Sequence, residues 1–350
     1  MGAAQTLAEP AAQTLRGVGE GSRSHELPEP PPRVLLGTAG TGTTWGIAVS
    51  LRERWGERVH VVGTDMLPAH LVASSALMDR FARMPAVADE QRFTARLLQL
   101  IEREGIDTYV PTFDREIVLA AALREQGRME GVRVLAPPLW SAQTCLDKRA
   151  MSAWLEREGI AAPRTLAFRP QEWCERGIVV KPRTGVGSVG VERLREREAW
   201  EAWCGREGLR EWIAQELVQG VEVTLDCFRS GDGTVGRVVC RERVEVKSGV
   251  CTKARVFEDG ELAQLGLSIG EGLALSGAYC LQAMRCERRG WLVTDVNPRP
   301  GAGTRLSAAL GVQLHAAMFA DAWGLSSAGL LPRLARERWV ARQYREIVLG

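Results

Sequence analysis

Lysine is scarce in this chain of 350 residues, although basic residues are not. Only four of its 45 lysine and arginine residues are lysine, and these are Lys148, Lys181, Lys247 and Lys253. Lysine carries a compact charge on a thin stem, whereas arginine carries a wide planar fork, so the two do not substitute freely for each other. A lysine that persists in so arginine-rich a chain is therefore a candidate for a role that arginine cannot fill.

The sequence also lacks the patterns of several common classes of protein. Its eight cysteines include no Cys-x-x-Cys pair and no Cys/His cluster at zinc-site spacing, which favours free thiols in a reducing cytoplasm. No segment approaches the ~20 apolar residues of a membrane helix, and the N-terminus has no hydrophobic run of signal-peptide type. A net charge of +2 gives no reason to expect nucleic acid or a membrane as a partner.

What the chain does contain is an ordinary globular composition, 45% hydrophobic and 25% charged. Residues 1–32 are rich in Ala, Gly, Glu and Pro and are predicted to form a disordered leader. Residues 33–140 alternate short apolar runs with helical patterns, which predicts an α/β domain with a parallel sheet covered on both faces. Residues 141–350 change to short β-rich segments with interspersed helices, which predicts an α+β region.

Candidate ligand-binding segments of the first domain follow its predicted strands. The strands are predicted at residues 34–36, 59–62, 108–111 and 132–135, and the helices at residues 47–55, 91–104 and 116–125. Ligands on parallel sheets bind at the carboxyl ends of the strands. The segments that fall at these ends are residues 37–46, Asp65 and residues 112–114.

The glycine-rich segment 37–46 follows a strand and opens a helix, so its amides are candidates to hold an anion. It does not fit the dinucleotide fingerprint, because Gly40-x-Gly42 is not followed by x-x-Gly. It is not a Walker A loop either, since no lysine in the chain follows a glycine. A tight turn without a ligand is the alternative, and a dehydrogenase interpretation rests on this segment alone.

A second glycine-rich segment, residues 181–190, is more informative. A strand delivers Lys181, a loop of glycine and serine follows, and a further strand comes after it. A loop so poor in side chains can fold its amides over phosphates and still open. Lys181 is placed to reach a nucleotide. The alternative is a plain hairpin with a flexible tip.

Residues 215–224 are predicted to form a strand, a short connection and another strand. Such a connection can present backbone groups to adenine, and Glu222 can accept hydrogen bonds from ribose hydroxyls. The alternative is an edge strand with surface charges.

The segment 291–305 carries the most weight. Its strand places Asp295 and Asn297 on the same face, because side chains repeat every two residues. Carboxylate and amide oxygens suit magnesium, and Gln282 on the preceding strand of a predicted hairpin supplies a third oxygen. Arg299 and Arg305 follow, where cations would neutralise the oxygens of a phosphoryl group in transfer. The alternative is a bare strand and turn with surface arginines.

Together these segments resemble the ATP-grasp superfamily, in the branch similar to the large subunit of carbamoyl-phosphate synthetase and related carboxylate–amine ligases. The resemblance runs in element order from residue 33 to 330 and implies a Rossmann-like pre-ATP-grasp domain followed by a two-lobed ATP-grasp domain. The small lobe is expected at about residues 150–214 and the large lobe at about residues 215–350. Nucleotide lies between the two lobes in that family, and the preceding domain helps to hold the acceptor substrate.

The resemblance also implies roles for matching residues. Those expected to bind the nucleotide are Lys148, Lys181, the loop residues Gly185, Gly187, Ser188, Val189 and Gly190, the hinge residues Gln215, Glu216 and Leu217, and the ribose acceptor Glu222. Those expected to bind magnesium are Gln282, Asp295 and Asn297. Those expected to stabilise phosphoryl transfer are Arg299 and Arg305, with Lys253 facing the γ-phosphate. The family more often has glutamate where this chain has Asp295, which leaves open the number of magnesium ions.

The implied function is an ADP-forming ligase that uses ATP and Mg²⁺ to join a small carboxylate to an amine through an acyl phosphate. An amino acid or related small acid is the expected substrate, and the enzyme is expected to act alone or as a homodimer. Residues expected to contact the acceptor are Thr38, residues 39–43, Asp65, Asp114, Glu116 and residues 305–307. The alternatives are an ATP-dependent carboxylase or phosphotransferase, or a nucleotide-binding regulatory protein without turnover.

Overall fold

A computed structural model describes residues 27–185, 189–247, 249–343 and 346–349. The first 26 residues of the predicted leader lie outside the described residues, as do Gly187 and Ser188 of the predicted phosphate loop. Residues 27–32 form neither helix nor strand. No helix in the described part of the chain combines the length and apolar character needed to cross a membrane.

The first sheet is parallel throughout, as the alternating pattern predicts. Its strands stand side by side in the order β3-β2-β1-β4-β5. They are β1 Arg33–Leu36, β2 His60–Asp65, β3 Arg80–Arg83, β4 Thr108–Val110 and β5 Arg133–Val134. The short β3 is absent from the sequence prediction, because only one of its four residues, Ala82, is buried.

Three helices cover this sheet, and local capping sets where they begin and end. They are α1 Gly42–Trp55, α2 Glu90–Glu104 and α3 Asp114–Glu125. The side chain of Thr41 accepts from the Thr44 amide, so α1 begins five residues before the predicted start at residue 47. Asp89 caps α2 in the same way, and Gly105 ends it in the left-handed conformation that glycine adopts without penalty.

Two short helices lead into a four-stranded sheet. The helices are α4 Leu139–Leu146 and α5 Lys148–Arg157. The sheet has the order β6-β9-β7-β8, in strands β6 Thr165–Leu166, β7 Ile178–Pro182, β8 Glu192–Leu194 and β9 Trp212–Glu216, and all its pairings are antiparallel. Helix α6, Arg197–Cys204, buries Trp200 and Trp203 against it. These tryptophans therefore belong to the core rather than to a substrate pocket.

A six-stranded antiparallel sheet forms the rest of the chain. Its order is β14-β13-β10-β11-β12-β15, in strands β10 Glu222–Arg229, β11 Gly236–Lys247, β12 Val250–Phe257, β13 Gly277–Cys286, β14 Gly290–Asn297 and β15 Arg338–Ala341. The helices are α7 Gly260–Gly272, α8 Arg305–Ala308 and α9 Leu314–Ala322. Strand β11 is continuous over its twelve residues, and its pairing with β12 shifts register around Glu245.

The two faces of this sheet pack against different partners. Val223, Leu225 and Cys227 of β10 lie in one core with α5 and α7. Phe228, on the opposite face of the same strand, lies in a second core with α9 and with α1 of the first domain. Glu222 and Thr224 share the face of Phe228, because side chains alternate along a strand. The face that carries the candidate site is therefore the one turned toward the first domain.

Candidate active site

A cavity of about 250 Å³ lies between the four-stranded and the six-stranded sheets. Most of the residues predicted to bind nucleotide or metal line it. From the four-stranded side and its connections these are Lys148, Lys181, Gly185, Gln215, Glu216 and Leu217. From the six-stranded side they are Glu222, Gln282, Asp295 and Asn297, and Arg299, predicted to stabilise phosphoryl transfer, also lines the cavity.

The three candidate metal ligands lie together on the hairpin β13–β14. Gln282 pairs directly with Asp295 across the two strands, and Asn297 lies two residues further along β14. The side-chain amide of Asn297 donates from Nδ2 to Oδ2 of Asp295 over 3.0 Å. That donation leaves the amide oxygen of Asn297 unbonded to Asp295 and available to a cation. Carboxylate and amide oxygens are hard donors that fit Mg²⁺.

The three candidate ligands carry too little negative charge to bind a metal ion strongly by themselves. Among the described residues, no group of three or more His, Cys, Asp and Glu side chains is arranged to bind a metal. Asp295 is the single carboxylate of the candidate set, and Gln282 and Asn297 are neutral. Magnesium usually takes one or two carboxylates and completes its shell with waters and substrate phosphates. The residues present therefore fit a magnesium ion that arrives with a nucleotide.

Lys148 and Lys181 approach the cavity from different elements. Lys148 is the first residue of α5 and donates from Nζ to the carbonyl of Gly185 at 3.0 Å. Lys181, near the end of β7, donates from Nζ to the carbonyl of Thr294 at 3.4 Å. Burial lowers the pKa of Lys181 against the attraction of Asp295, and Lys148 lowers it further. The ammonium groups of these two lysines thus lie at the cavity, where they would complement the charge of an anionic ligand.

The loop between β7 and β8 is described at both ends. Gly185 lines the cavity, whereas Val189 and Gly190 are not among its described lining residues. Gly190 has a φ of +74°, and a Cβ there would lie 3.0 Å from Cγ of Pro182. The position therefore requires glycine for both its backbone conformation and its packing.

The hinge after β9 is already partly used in internal hydrogen bonds. The N–H of Leu217 donates to the carbonyl of Gly177 at 2.9 Å, so it does not remain for adenine. Any backbone donor to a base must come from later in the connection, where Val218 also lines the cavity. The buried side chain of Gln215 donates from Nε2 to Oγ of Ser152 at 3.0 Å. Glu216 accepts from the Arg164 amide and from the Arg289 guanidinium.

The wall of the cavity near this hinge is apolar. Its side chains come from α4, β7 and β13, and they are Leu146, Val179 and Met284. A flat heteroaromatic ring would be held there by apolar contact, whereas Lys181 lies toward the magnesium candidates, since it donates to the carbonyl of Thr294. The cavity thus has an apolar region beside a charged one.

Arg243 is a cavity residue that sequence reasoning missed. It lies on β11, lines the cavity and forms an ion pair with Glu222, the predicted ribose acceptor. The arginines at positions 241 and 243 share one face of the strand, and that alternation was the available signal. Contacts with neighbouring strands distinguish the two arginines. Arg243 lines the cavity, whereas Arg241 is buried against Asp226.

Arg299 joins the cavity to the first domain. It donates from Nε to Oδ1 of Asp114 at 3.0 Å. Burial is the largest single influence and lowers the pKa of Arg299, but the attraction and hydrogen bond of Asp114, together with Cys280 and Asp295, raise the pKa above its ordinary value. Asp114 is the first residue of α3 and also lines the cavity. A permanently charged guanidinium is therefore held at the edge of the cavity by a residue of the parallel-sheet domain.

Two predicted catalytic residues lie elsewhere in the structure. Arg305, at the start of α8, forms an ion pair with Glu53 of α1. Lys253, on β12, pairs with Glu245 at 3.0 Å, and its side chain is 56% exposed. The structure brings neither residue into the described lining of the cavity.

A buried ion pair supports the turn that carries Arg299, and no spacing or period in the sequence predicts it. Asp226, fully buried on β10, accepts from the guanidinium of Arg241 on β11. Asp226 also accepts from Oγ1 of Thr304 at 2.8 Å and from Oγ of Ser307 at 3.3 Å. The pair thereby anchors the segment between Arg299 and α8 to the centre of the six-stranded sheet.

The glycine-rich segment after β1 uses its amides internally. Gly37 donates to the carbonyl of Val110, Ala39 to that of Thr64, and Thr41 to that of Thr38. The amide of Gly40 donates to Oδ2 of Asp65 at 2.7 Å. These four amides are therefore used within the protein, which favours the tight turn over a dehydrogenase loop that would hold an anion with them.

The comparisons with known proteins agree with this geometry. The ATP-grasp domain family matches residues 145–303. Comparison with curated protein sequences found no match. N5-carboxyaminoimidazole ribonucleotide synthetase from Thermotoga maritima is similar in structure, with a TM-score of 0.65 and 16% identity, over 87% of this chain and 78% of that chain.

Two further solved structures have the same fold. An L-amino acid ligase from Bacillus licheniformis has a TM-score of 0.66 and 15% identity, over 85% of this chain and 76% of that chain. Biotin carboxylase from Campylobacter jejuni has a TM-score of 0.68 and 11% identity, over 85% of this chain and 72% of that chain. At such identities these likenesses establish the fold. Fold and family match together identify residues 145–303 as an ATP-grasp domain.

Proposed function

We propose that this chain is an ADP-forming ligase that uses ATP and Mg²⁺ to join a small carboxylate to an amine, giving an amide or peptide bond. One observation carries the proposal. Residues predicted independently for nucleotide, metal and phosphate, from both antiparallel sheets, line a single cavity. An amino acid or a related small acid is the proposed carboxylate, in keeping with the similar structure of an L-amino acid ligase.

The cavity suits a nucleotide in one orientation. The base contacts the apolar side chains of Val179 and Met284 near the hinge, and Glu222 accepts from the ribose. The phosphates then extend toward Lys148 and Lys181, whose charges complement them. The boundary between the small and the large lobe would lie after β9. That strand ends at Glu216, two residues past the boundary expected at residue 214.

Gln282, Asp295 and Asn297 are the residues that would hold magnesium. Magnesium held there together with the nucleotide would supply positive charge to the phosphoryl group in transfer. The chain's own contribution is to supply oxygen ligands at the edge of one hairpin and to keep them in register. Asp295 has a shorter side chain than the glutamate that is more usual in this family, so it reaches less far for a second metal contact.

The proposed reaction needs no nucleophilic side chain. An oxygen of the substrate carboxylate attacks the γ-phosphorus, the bond to the β-phosphate oxygen breaks, and ADP leaves. The free amine then attacks the acyl carbon, loses its proton and expels inorganic phosphate. Arg299 lies where its charge can offset that of the phosphoryl oxygens, and Asp114 keeps it in place. The chain acts by positioning and by electrostatics.

A carboxylase is the second candidate. Two of the similar structures are described as N5-carboxyaminoimidazole ribonucleotide synthetase and biotin carboxylase, so the fold also accommodates carboxylation. Bicarbonate would then replace the substrate carboxylate, and the product would carry a new carboxyl group. A phosphotransferase would stop at a phosphorylated product, and a regulatory protein would bind ATP without turnover.

The test is an ATP turnover assay on the full chain with Mg²⁺ and a panel of amino acids and amines, with and without bicarbonate. Phosphate release that depends on the substrate, with an amide identified by mass spectrometry, supports the ligase. Asn297→Ala should abolish this release, whereas Glu287→Gln, in the exposed turn between β13 and β14, should not. A carboxylated product, or ATP binding without any turnover, would replace the ligase proposal with one of the alternatives.

The cellular setting is a further part of the proposal. All eight cysteines are free thiols, which is in keeping with a reducing compartment such as the cytoplasm. Small-molecule substrates remain the proposed partners, and the predicted homodimer stays a prediction.

A further inference from the structure

A second cavity, of about 130 Å³, lies at the carboxyl ends of β1, β2 and β4 in the first domain. Its walls are almost wholly apolar and come from Met66, Met84, Pro85, Val87, Phe93 and Phe113. Met84 and Phe93 are buried, whereas Met66 is 57% exposed, so the cavity reaches from the surface into the core. We call it the first-domain pocket. A cavity of roughly 150 Å³ with such a lining accommodates benzene, which sets the size of group that fits.

Two carboxylates interrupt this apolar lining. Glu116 is buried and accepts from the Tyr109 hydroxyl at 2.6 Å and from Oγ1 of Thr38 at 2.9 Å. Asp65 accepts from the amides of Gly40 and Leu67. Glu116 also accepts hydrogen bonds from the backbone at Thr112 and Phe113, so it contributes charge to the pocket rather than free acceptor positions. Asp65 keeps lone pairs that its two donors do not use, because an ionised carboxylate has about four acceptor positions.

Neither Asp65 nor Glu116 forms an ion pair with a basic side chain among the described residues. Three carboxylates closer to the ATP-grasp cavity each do. Asp114 has Arg299, Asp226 has Arg241, and Glu222 has Arg243. Arg83 lies beside Asp65 in the strand register, but it donates to the carbonyl of Met66 instead. An acidic group in an apolar pocket without a partner is complemented by an ammonium group on an apolar ligand.

The backbone at Thr38 shows that this arrangement is held in place. Its φ is +44°, an uncommon value for a β-branched residue. The carbonyl of Thr38 accepts from the hydroxyls of Thr41 and Thr44, which keep the turn in this conformation. The turn in this form directs the Thr38 hydroxyl to Glu116. Strained residues of this kind concentrate at ligand sites.

The pocket adjoins the ATP-grasp cavity through one turn. Phe113 lines the pocket, and the next residue, Asp114, lines the larger cavity and binds Arg299. On the other side, Gly42 lies against Ala302, since a Cβ on Gly42 would be 3.3 Å from that of Ala302. The first-domain pocket and the Arg299 side of the larger cavity are therefore joined by the consecutive residues Phe113 and Asp114.

We propose that the first-domain pocket selects the amino-acid substrate by its apolar side chain and its α-ammonium group. The side chain, of the size of leucine or phenylalanine, lies among the apolar walls, and the ammonium faces Asp65 and Glu116. The carboxylate of the same molecule points toward Arg299, where phosphorylation occurs. This assignment rests on the proposed ligase function, and it specifies hydrophobic L-amino acids as the activated substrate.

Binding of four probes tests the pocket without requiring turnover. The probes are leucine, alanine, leucinamide and N-acetyl-leucine, and their binding to the full chain is measured by isothermal titration calorimetry. Each titration is run with and without a saturating Mg²⁺ complex of a non-hydrolysable ATP analogue. Leucine and leucinamide should bind, and N-acetyl-leucine should bind at least tenfold more weakly. Alanine, which is smaller by three carbon groups, should lose about fourfold for each methylene.

Two variants and a control locate the effect. Val87→Phe fills the pocket and should weaken leucine binding at least tenfold. Val246→Phe adds the same ring at an exposed position on β11 and should leave binding unchanged. Glu116→Gln removes the charge but keeps the hydrogen bonds with the Tyr109 and Thr38 hydroxyls, since hydroxyls can reverse their direction. It should weaken leucine more than it weakens an uncharged isobutyl compound such as 4-methylpentanamide.

Equal binding of leucine and N-acetyl-leucine, or unchanged leucine binding by Val87→Phe, would overturn the assignment. So would failure of every amino acid to bind a protein that binds the ATP analogue, and the nucleotide part of the proposed function would then survive. Amino-acid binding by a protein that does not bind the analogue would instead support the pocket and refute the ATP-dependent function.

Discussion

Arg299 on the turn after β14 donates to Asp114 at the start of α3, so a side chain from the ATP-grasp domain is held by a carboxylate of the parallel-sheet domain. Because the guanidinium already has this partner, it does not have to be ordered when substrate arrives. Preorganised charge of this kind stabilises a transition state without reorganisation at the moment of reaction.

Replacement of Arg299 by alanine should therefore lower ATP turnover by roughly 10²- to 10³-fold. ATP binding should change little, since Lys148 and Lys181 provide the nearer positive charges in the cavity. Asp114→Asn, which keeps a hydrogen-bond acceptor but removes the charge, should give a smaller loss. Phosphate release and nucleotide titration measure the two effects. Arg288→Ala, at an exposed position on the same chain segment, is the control, and a loss of ATP affinity equal to the loss of turnover would contradict this role for Arg299.

The length of the Asp295 side chain makes a prediction about magnesium. Asp295→Asn removes the only carboxylate of the candidate set and should raise the magnesium concentration for half-maximal turnover at least tenfold. Asp295→Glu restores the longer arm and should require no more magnesium than the natural chain. Magnesium titrations at fixed ATP provide the measurement, with Glu287→Gln as a charge-matched control. An unchanged magnesium requirement in Asp295→Asn would remove this residue from the site.

Lys181 should limit the stability of the protein. Burial lowers its pKa below that of the unfolded chain, so the unfolded state binds more protons between the two values. The resulting cost to folding is complete below the lowered pKa and fades as the pH rises toward the ordinary lysine value of about 10.4. Lys181→Met should raise the Tm at pH 7 by about 2–4 °C, with a smaller gain near pH 10, and should weaken ATP at least tenfold.

Differential scanning calorimetry of Lys181→Met and Lys247→Met at both pH values checks this prediction. Lys247 pairs only loosely with Glu245, at 3.8 Å, and its side chain is 61% exposed, so its replacement should leave the Tm unchanged. A lower Tm for Lys181→Met at pH 7 would show that Asp295 and the Thr294 carbonyl more than offset the cost of burial.

The Asp226–Arg241 pair should be costly to break from one side. Arg241→Met leaves a buried carboxylate without its cation, and the free energy of unfolding should fall by about 3–5 kcal/mol. Arg243→Met breaks the neighbouring pair with Glu222, whose side chain is 37% exposed, and should cost about 1 kcal/mol or less. Urea unfolding followed by fluorescence compares the two variants. Similar losses in both would mean that the buried pair contributes no more than a partly exposed one.

Much of the fold was open to prediction because its signals are local. The alternation of apolar runs and helical patterns predicted the parallel sheet, and the period of two along β14 predicted that Asp295 and Asn297 share a face. Lysine scarcity pointed to Lys148 and Lys181, which line the cavity. The same scarcity singled out Lys253, which lies on an exposed part of β12, because composition carries no information on direction.

Other features depend on contacts that a single sequence does not show. Asp226 and Arg241 are 15 positions apart and meet only because β10 and β11 are neighbours in one register. The use of the Leu217 amide follows from its approach to Gly177, a residue 40 positions earlier. The first-domain pocket likewise gathers walls from several loops. None of these pairings leaves a period or spacing in the chain.

The contacts around the turn between β14 and α8 set a condition for the design of domain chimeras. Arg299 in this turn pairs with Asp114, and Arg305, the first residue of α8, pairs with Glu53. Both carboxylates belong to the parallel-sheet domain. A chimera that takes its first domain from a relative would present these arginines with foreign neighbours. Transplanting the two acidic positions along with the graft, and leaving the turn untouched, is the minimal exchange that preserves both cross-domain ion pairs.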